Sequence, residues 1–284
     1  MNAPHLLFDR KLLELRKRRT RASARFLMKR AEEELAERLL AVSRTFERTL
    51  VVGESETQFV ETKMLGTVDR AQVDFDTEVV RAPDAPYDLA ISLLEMQWFN
   101  DLPGVLAQIK RLLKPDGLLL AAMIGGDSLT ELRESLAAAE TELEGGISPR
   151  VLPFVEVRTL GGLLQRAGFA LPVTDVDRVT VRYANALELM RDLRVMGAAN
   201  ILRERSRKPL RRATLFRAVE IYRERFADAD GRVRATFEIL WLSGWAPHES
   251  QQQPLRPGSA KTRLADALRA VEFPAGEKTG PKKN

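Results

Sequence analysis

Cysteine is absent from the 284-residue chain, and its only histidines are His5 and His248. Disulfides, thiolate nucleophiles and cysteine-ligated zinc or iron–sulfur sites are therefore excluded. Two histidines are too few for a three-histidine zinc site, or for a two-histidine iron site unless the two termini meet. We therefore predict no metal site, and the residues by themselves assign no catalytic acid, base or nucleophile.

Long apolar runs are also missing. The longest uncharged one, residues 118–126, is far shorter than the ~20 residues of a membrane span. Apolar residues make up 44% of the sequence and charged residues 30%, which is typical of a globular protein. Aromatic residues make up only 6% and are sparse among the basic residues, which disfavours binding of nucleic acid through base stacking.

Positive charge is concentrated in two stretches, although the net charge is only +5. Residues 16–30 contain eight basic residues and no acid, and residues 203–212 form the second stretch. Such stretches bind phosphates, anionic lipid or an acidic protein surface, or they simply face solvent. The first stretch predicts contact of an N-terminal helix with a membrane surface.

The chain divides into three predicted regions. In residues 1–45, apolar residues at helical spacing predict a basic amphipathic helix that ends near Ser43. Its apolar positions are Ala24, Leu27, Met28, Ala31, Leu35, Leu39 and Val42. Residues 46–250 form the main domain, and the polar residues 251–284 are predicted to be a mobile tail.

Strands and helices alternate in the main domain. The predicted strands are residues 49–53, 71–75, 87–93, 117–124, 170–183 and 236–245. Helices are predicted at 102–114, from Ser128 onward, at 157–167 and within 186–226. Asn100 or Asp101 caps the first of these, and Ser128 and Glu131 have the spacing of a capping box for the second. Near-continuous apolar strands are typical of a parallel sheet covered on both faces, so we predict an α/β fold.

Ligands of open α/β sheets bind beyond the carboxyl ends of the strands. The first predicted strand ends in the sequence GESET at 53–57, which keeps one glycine, Gly53, where nucleotide-binding loops have several. Glu54 and Glu56 would repel an anionic group, or they simply favour the positive end of a helix. Asp74, after the second strand, either accepts hydrogen bonds from ribose hydroxyls or is an ordinary turn residue.

Several motifs resemble those of class I S-adenosylmethionine-dependent methyltransferases. YDL at 87–89, QWFNDLP at 97–103 and LLKPDG at 112–117 are similar to the region of the fourth and fifth strands in that superfamily. Narrower motifs resemble the complex I assembly factors of the methyltransferase fold and their alphaproteobacterial relatives: FDR at 8–10, GGDSL at 125–129, EGGISP at 144–149, PF at 153–154, RAGF at 166–169 and GW at 244–245. A more distant likeness is to the malonyl-carrier methyltransferases of biotin synthesis.

The resemblance implies a Rossmann-like class I methyltransferase fold. This is a mostly parallel, twisted sheet with helices on both faces, an N-terminal helix and a helical insertion at about residues 185–230. It implies an S-adenosylmethionine site formed by Gly53, Asp74, Ser92 and Leu93. The implied substrate or partner cleft contains Gln97, Trp98, Phe99, Gly125, Gly126, Pro149 and Phe154, although Trp98 could equally pack in the core.

The implied function is modification of a protein side chain, or assistance in assembling respiratory complex I, with a complex subunit as substrate or partner. Members of the family hydroxylate an arginine rather than methylate it. The expected location is the cytoplasm of a bacterium, or the mitochondrial matrix if the source is eukaryotic. In a methyltransferase, positioning contributes more than acid–base chemistry, so the lack of a catalytic histidine is no objection.

Three features differ from the usual pattern of the superfamily. The first motif retains one glycine of the usual three, Gln97 replaces the histidine that often precedes the tryptophan, and residues 75–87 are too few for the usual third strand and its helix. These differences predict weak or absent binding of adenosylmethionine. Two functions are therefore left open, an enzyme of the superfamily and a non-catalytic binding protein that retains the fold.

Overall fold

The computed structural model describes residues 6–19, 26–53, 64–74, 76–83 and 86–252. The chain divides into two compact units, Met1–His248 and Glu249–Asn284. The first unit contains both the sheet and the predicted N-terminal region. Nearly all of the predicted tail, residues 253–284, lies outside the described part.

The first unit contains one seven-stranded sheet. Its strands are β1 (Phe46–Val52), β2 (Leu65–Val73), β3 (Val80–Arg81), β4 (Tyr87–Leu93), β5 (Leu113–Ile124), β6 (Ala170–Tyr183) and β7 (Val233–Trp245). They lie in the order β3-β2-β1-β4-β5-β7-β6. β1 pairs parallel with β2 and β4, and β4 pairs parallel with β5, whereas β3 and β7 run opposite to their neighbours.

Seven helices accompany these strands in the described part of the chain. They are α1 (Arg10–Lys17), α2 (Phe26–Val42), α3 (Leu102–Leu112), α4 (Thr130–Glu144), α5 (Val157–Arg166), α6 (Ala186–Val195) and α7 (Arg212–Phe226). A short 3-10 helix, Met96–Trp98, follows β4. Asp101 is the cap of α3, because its Oδ1 accepts a hydrogen bond from the amide of Gly104 at 2.9 Å.

Helices cover both faces of the sheet, as the alternation of strand residues shows. Leu89 and Ile91 of β4 pack in one apolar cluster with α2, α4, α6 and α7, while Ala90 packs in a second cluster with α3 and α5. Because successive strand residues point to opposite faces, the apolar runs are buried on both sides. The predicted α/β fold with a mostly parallel sheet is confirmed.

Element boundaries depart from the predictions mainly at the sheet edge. β2 begins at Leu65 rather than residue 71, since its polar first part pairs with β1 through the backbone, and the ion pair between Asp69 and Arg48 at 2.6 Å adds to this pairing. In the short stretch before Tyr87, the described residues 76–83 form one strand, the two-residue antiparallel β3. The sequence had indicated too little room there for a full strand and helix.

The N-terminal region contains two helices, α1 and α2, rather than one helix that starts in the basic stretch. Residues 20–25, with the predicted Ala24, lie outside the described part. Four apolar residues of α2 are buried in the main core: Leu27, Ala31, Leu35 and Leu39. The predicted apolar stripe is therefore a core-packing surface, and α2 contributes to the fold of the sheet domain.

Candidate functional site

The carboxyl ends of β1 and β4 meet at Gly53. Gly53 has a φ of +113°, and a Cβ at this position would lie 2.5 Å from the Cγ of Glu95, which follows β4. Only glycine adopts this backbone and leaves that space free. The space beside Gly53 is therefore occupied by a side chain of the protein itself.

Asp74, at the end of β2, is engaged within its own turn. Its Oδ1 accepts hydrogen bonds from the amide and hydroxyl of Thr77, both at 2.9 Å, and its Oδ2 pairs with Arg81 at 2.7 Å. Hydrogen bonds from Thr77 and from the amide of Asp76 lower the pKa of the Asp74 carboxyl to about 2. The acceptor predicted for ribose hydroxyls is thus already satisfied by protein donors.

Helix α1 extends over the same end of the sheet. Lys17 pairs with Glu95 at 2.5 Å, and the buried Arg10 pairs with Glu78 at 2.8 Å. The guanidinium of Arg10 also donates to the carbonyl of Trp98 at 3.3 Å and lies over the ring of Phe99. Two cationic side chains of α1 therefore connect this helix to the loops that follow the strands.

Glu78 is the centre of that connection. Its carboxylate accepts hydrogen bonds from the amides of Asn100 and Asp101 at 2.8 and 2.6 Å, in addition to the ion pair with Arg10. Asn100 in turn accepts a hydrogen bond from the amide of Phe8 at 2.9 Å. Because a buried carboxylate is costly without partners, these bonds stabilise one arrangement of α1 and the loop after β4.

A cavity of about 220 Å³ lies beside Gly53, and we call it the Gly53 cavity. Its lining includes Asp74 and Phe99 from the predicted site, together with Arg10, Lys17 and Glu95. Ligand pockets usually begin at roughly 300 Å³, so this volume is small for a molecule of the size of adenosylmethionine. The described residues here do not fit that cofactor, because Glu95 fills the space at Gly53 and Asp74 is already bonded.

Ser92 and Leu93, predicted to bind the cofactor, are completely buried within β4. Leu93 belongs to the main apolar cluster, and the hydroxyl of Ser92 has no hydrogen-bond partner among the described residues. Both side chains are covered by protein, and their contact with a ligand stays a prediction. The two residues are the last of β4, and the chain leaves the sheet only at the next residue, Leu94.

Gln97 and Trp98 lie inside the protein rather than facing a cleft. The side-chain Nε2 of Gln97 donates to the carbonyl of Leu94 at 2.5 Å, and its Oε1 accepts from the backbone amide of Ile124 at 3.5 Å. Trp98 is only 7% exposed and packs in a third apolar cluster. That cluster contains Phe8, Leu13, Trp98, Leu152, Ile201 and Leu202. Of the two alternatives for Trp98, the structure favours core packing.

A second, larger cavity of about 1020 Å³ follows the carboxyl end of β5, and we call it the Gly126 cavity. Gly126, Pro149 and Phe154 of the predicted cleft line it. Its charged lining residues are Asp127, Arg133, Glu156, Arg158, Arg203, Glu204 and Glu238. The predicted cleft residues are therefore divided, with Phe99 at the Gly53 cavity and these three at the Gly126 cavity.

The GGDS sequence at 125–128 positions Glu238 of β7. A Cβ on Gly125 would lie 2.4 Å from the Oε1 of Glu238, so glycine is needed to admit this carboxylate. The hydroxyl of Ser128 accepts from the amide of Glu238 at 2.8 Å and donates to its carbonyl at 3.2 Å. Gly125, predicted as a cleft residue, acts here by making room for Glu238.

The capping box predicted for Ser128 and Glu131 is wrong. Leu129 is the residue that precedes α4, and it makes no side-chain capping bond. Ser128 binds the backbone of Glu238, and Glu131 accepts hydrogen bonds from the amide and hydroxyl of Thr236 at 3.1 and 2.5 Å. Tertiary contacts with β7 compete for both side chains and replace the local cap.

The two basic stretches differ in their partners. In the first, Arg16 donates to the carbonyl of Asn200 at 2.5 Å and Arg30 pairs with Asp177 of β6 at 2.8 Å, so these charges serve contacts within the fold. In the second, five basic side chains are exposed and form no ion pair with another described residue: Arg203, Arg207, Lys208, Arg211 and Arg212. The membrane contact expected of the first stretch stays a prediction.

Neither a metal cluster nor a membrane-spanning helix is found in the part of the chain that the structure describes. No group of three or more histidine, cysteine, aspartate or glutamate side chains is arranged to hold a metal ion there. Among the same residues, no helix combines the length and apolar character that crossing a bilayer requires.

Among the buried glutamates, the sequence analysis missed Glu78, Glu95 and Glu238, which lie at or beside the two cavities. A signal existed for Glu238, which is a single acid in the otherwise apolar run TFEILWL, because glutamate is rarely buried without a specific reason. For Glu78 the only signal was indirect, since its partner Arg10 belongs to the FDR motif at 8–10. Nothing local marked Glu95.

A family model described as a methyltransferase domain matches residues 29–172. Together with the mostly parallel sheet, this match shows that the chain belongs to the methyltransferase-domain family. The solved YcgJ protein of Bacillus subtilis aligns with a TM-score of 0.46 and 11% identity, over 76% of this chain and 99% of that one.

More specific similarity is to proteins named "Arginine-hydroxylase NDUFAF5, mitochondrial". The Danio rerio protein is 40% identical over 262 residues, which cover 85% of this chain and 81% of that protein. The Homo sapiens protein is 45% identical over 191 residues, which cover 67% of this chain and 55% of that protein. A malonyl-[acyl-carrier protein] O-methyltransferase of Laribacter hongkongensis is 35% identical over 66% of this chain and 61% of its own length.

Proposed function

We propose that this protein hydroxylates an arginine side chain of a partner polypeptide, and that the partner is a subunit of respiratory complex I. The observation that carries the proposal is the likeness to the zebrafish protein named as an arginine hydroxylase, which extends over 85% of this chain. The Gly126 cavity supports it, because its buried carboxylate, Glu238, is a suitable acceptor for a guanidinium. Adenosylmethionine is not part of this proposal, since the described residues around Gly53 do not fit it.

The test is mass spectrometry of the complex I subunits from cells with and without the gene for this protein. Hydroxylation converts a C–H bond of the arginine to C–OH; the proposed co-substrates are dioxygen and a two-electron reductant from outside the protein, and the second oxygen atom leaves as water. Methyl transfer adds a methyl group instead, so the two activities give products of different mass. We expect one arginine to carry the extra oxygen in the parent strain and to lack it in the deletion strain. A methylated residue that depends on the gene would instead support a methyltransferase.

A non-catalytic binding protein is the second candidate. The observation that favours it is the Gly53 cavity, where α1 and Glu95 take up space beside the one remaining glycine of the loop. Such a protein would be needed for assembly without changing the mass of any subunit. Loss of complex I assembly in the deletion strain, with every arginine unchanged in mass, would support this candidate over the first.

The proposed location follows the proposed partner. In a bacterium the protein would act in the cytoplasm, and in a eukaryote in the mitochondrial matrix, in agreement with the word "mitochondrial" in the names of its relatives. The exposed basic residues of 203–212 are a suitable surface for contact with an acidic part of the partner.

A further inference from the structure

The Gly126 cavity contains a carboxylate whose present partners are few for a buried charge. Glu238 is 6% exposed, and the hydroxyl of Ser128 is hydrogen-bonded to both its backbone amide and its backbone carbonyl. Its Oε1 accepts only a long hydrogen bond of 3.4 Å from the amide of Asp127, and its Oε2 pairs with Arg178 at 3.2 Å. A carboxylate has about four acceptor positions, so Glu238 has capacity for further donors.

The cation that now pairs with Glu238 contacts it through a single nitrogen atom. Arg178 lies directly opposite Glu238 in the β6–β7 ladder, and its side chain is 56% exposed. A single nitrogen, Nη2, contacts both Glu238 and the exposed Asp127. This arrangement leaves the bidentate geometry that favours guanidinium–carboxylate pairs unused.

Other charged groups at the cavity do not neutralise Glu238. Arg133 donates to the carbonyls of Gly126 and Ser128, at 3.4 and 3.2 Å. Arg158 and Arg203 are exposed, and neither forms an ion pair with another described residue. The buried negative charge is therefore balanced by Arg178 alone among the side chains that the structure describes.

We propose that Glu238 and Asp127 select the guanidinium of the polypeptide bound in the Gly126 cavity, and that this guanidinium displaces Arg178, the half-exposed partner that Glu238 now has. The proposal rests on the proposed action on arginine and assigns the residues that recognise it. Displacement exchanges one guanidinium for another, so the buried carboxylate keeps a counter-charge throughout.

The first test measures binding of N-acetyl-arginine amide to the full-length protein by calorimetry, with N-acetyl-lysine amide as the comparison. We expect Arg178→Ala to bind the arginine probe about three- to fivefold more tightly than the native protein, because an exposed ion pair no longer competes. We expect Glu238→Gln to weaken binding at least about thirtyfold, because truncating one partner of a buried pair is costly.

Arg182→Ala is the matched control. Arg182 lies on the same strand as Arg178, but it pairs with Asp228 at 2.8 Å rather than with Glu238. It should leave the affinity for the arginine probe unchanged. Thermal melts of each variant show whether it is folded, and Arg178→Ala tests the proposal even if Glu238→Gln does not fold. Unchanged affinity in Arg178→Ala, or equal affinity for the lysine probe, would overturn the proposal.

A second test separates this inference from the proposed function. Cells that carry Glu238→Gln or Arg178→Ala in place of the native gene are examined for the oxygenated arginine. A normal level in folded Glu238→Gln would sink the recognition role while the proposed activity stands. Absence of any gene-dependent arginine product would contradict the proposed function, whereas selective binding of the arginine probe would still support the assigned site.

Discussion

The Gly53 cavity and the Gly126 cavity both follow carboxyl ends of parallel strands, yet their charges are satisfied in different ways. At the Gly53 cavity, Lys17 pairs with Glu95, Arg10 with Glu78, and Arg81 with Asp74. At the Gly126 cavity, Glu238 is paired with the half-exposed Arg178. The first cavity is therefore closed by its own side chains, whereas the second can exchange a partner.

This difference shows why the usual position of a ligand in an α/β sheet does not by itself identify a site. In this protein, side chains of α1 and of the loop after β4 occupy much of the space beyond the end of β1, next to Gly53. The cavity that remains large lies further along the sheet, beside β5 and β7. The predictions below test whether the Gly53 region is closed by packing and paired charge.

The largest effect is expected from Trp98→Ala. Trp98 belongs to the apolar cluster that joins the N-terminal segment to the loop after β4, so its removal leaves a cavity that costs about 3–5 kcal/mol of unfolding free energy. Denaturant melts measure this loss. Phe216→Ala is the control, because Phe216 is 57% exposed and its truncation should change stability by less than about 0.5 kcal/mol. A native-like melt for Trp98→Ala would restore it to the candidate binding residues.

The next effect is expected from Glu78→Gln. This change removes the charge of Glu78 from its buried ion pair with Arg10 and should cost roughly 3 kcal/mol, as other broken buried ion pairs do. The control is Glu14→Gln in α1, the helix that contains Arg10. It breaks the exposed pair of Glu14 and Arg18 and should cost no more than ~0.5 kcal/mol. Equal stability of the two variants would show that the closed arrangement does not depend on Glu78.

A third prediction concerns adenosylmethionine. We expect calorimetric titration of the native protein to show no micromolar binding of adenosylmethionine. A Kd of ~1 μM would correspond to a binding free energy of about −8 kcal/mol. The physical reasons are the filled space at Gly53 and the hydrogen-bonded carboxylate of Asp74. In addition, the sequence after Gly53 contains two negative residues, Glu54 and Glu56. A malonyl-carrier methyltransferase titrated in parallel is the positive control. Micromolar binding by the native chain would show that the Gly53 region opens for the cofactor.

The smallest effect is a dependence on pH that arises from Asp74. Its pKa is about 2 in the folded protein, below the ~3.9 of an unfolded chain, so its contribution to stability is present above about pH 4 and is lost as the pH falls towards 2. Asp74→Asn should therefore lower the Tm at neutral pH, and its difference from the native protein should shrink through that window.

Asp76→Asn is the control for this titration, since the exposed side chain of Asp76 forms no hydrogen bond with another described residue. Its melting curves should follow those of the native protein at each pH. If the Asp74→Asn difference stayed constant from neutral to acid pH, the turn around Asp74 would not depend on the ionised carboxylate.

The local sequence pattern predicted most of the helices and strands, because these elements depend on the spacing of apolar residues and on their burial. Predicted residues 170–183 coincide with β6, and Asp101, one of two proposed caps, does cap α3. The same local rules failed at Ser128 and Glu131, since a capping box and a tertiary bond to β7 use the same side-chain atoms. Sequence spacing cannot decide between them when the second partner lies more than a hundred residues away.

The amino-acid sequence alone determined the α/β class, the family motifs and the exclusion of cysteine chemistry, because these follow from composition and from short-range order. Only the tertiary structure decided which polar residues meet. It brought Arg10 to Glu78, Lys17 to Glu95, and Glu238 into the space left by Gly125. Such pairs join residues 68 or more positions apart, and their electrostatic energy depends on distance and burial, neither of which a linear pattern contains.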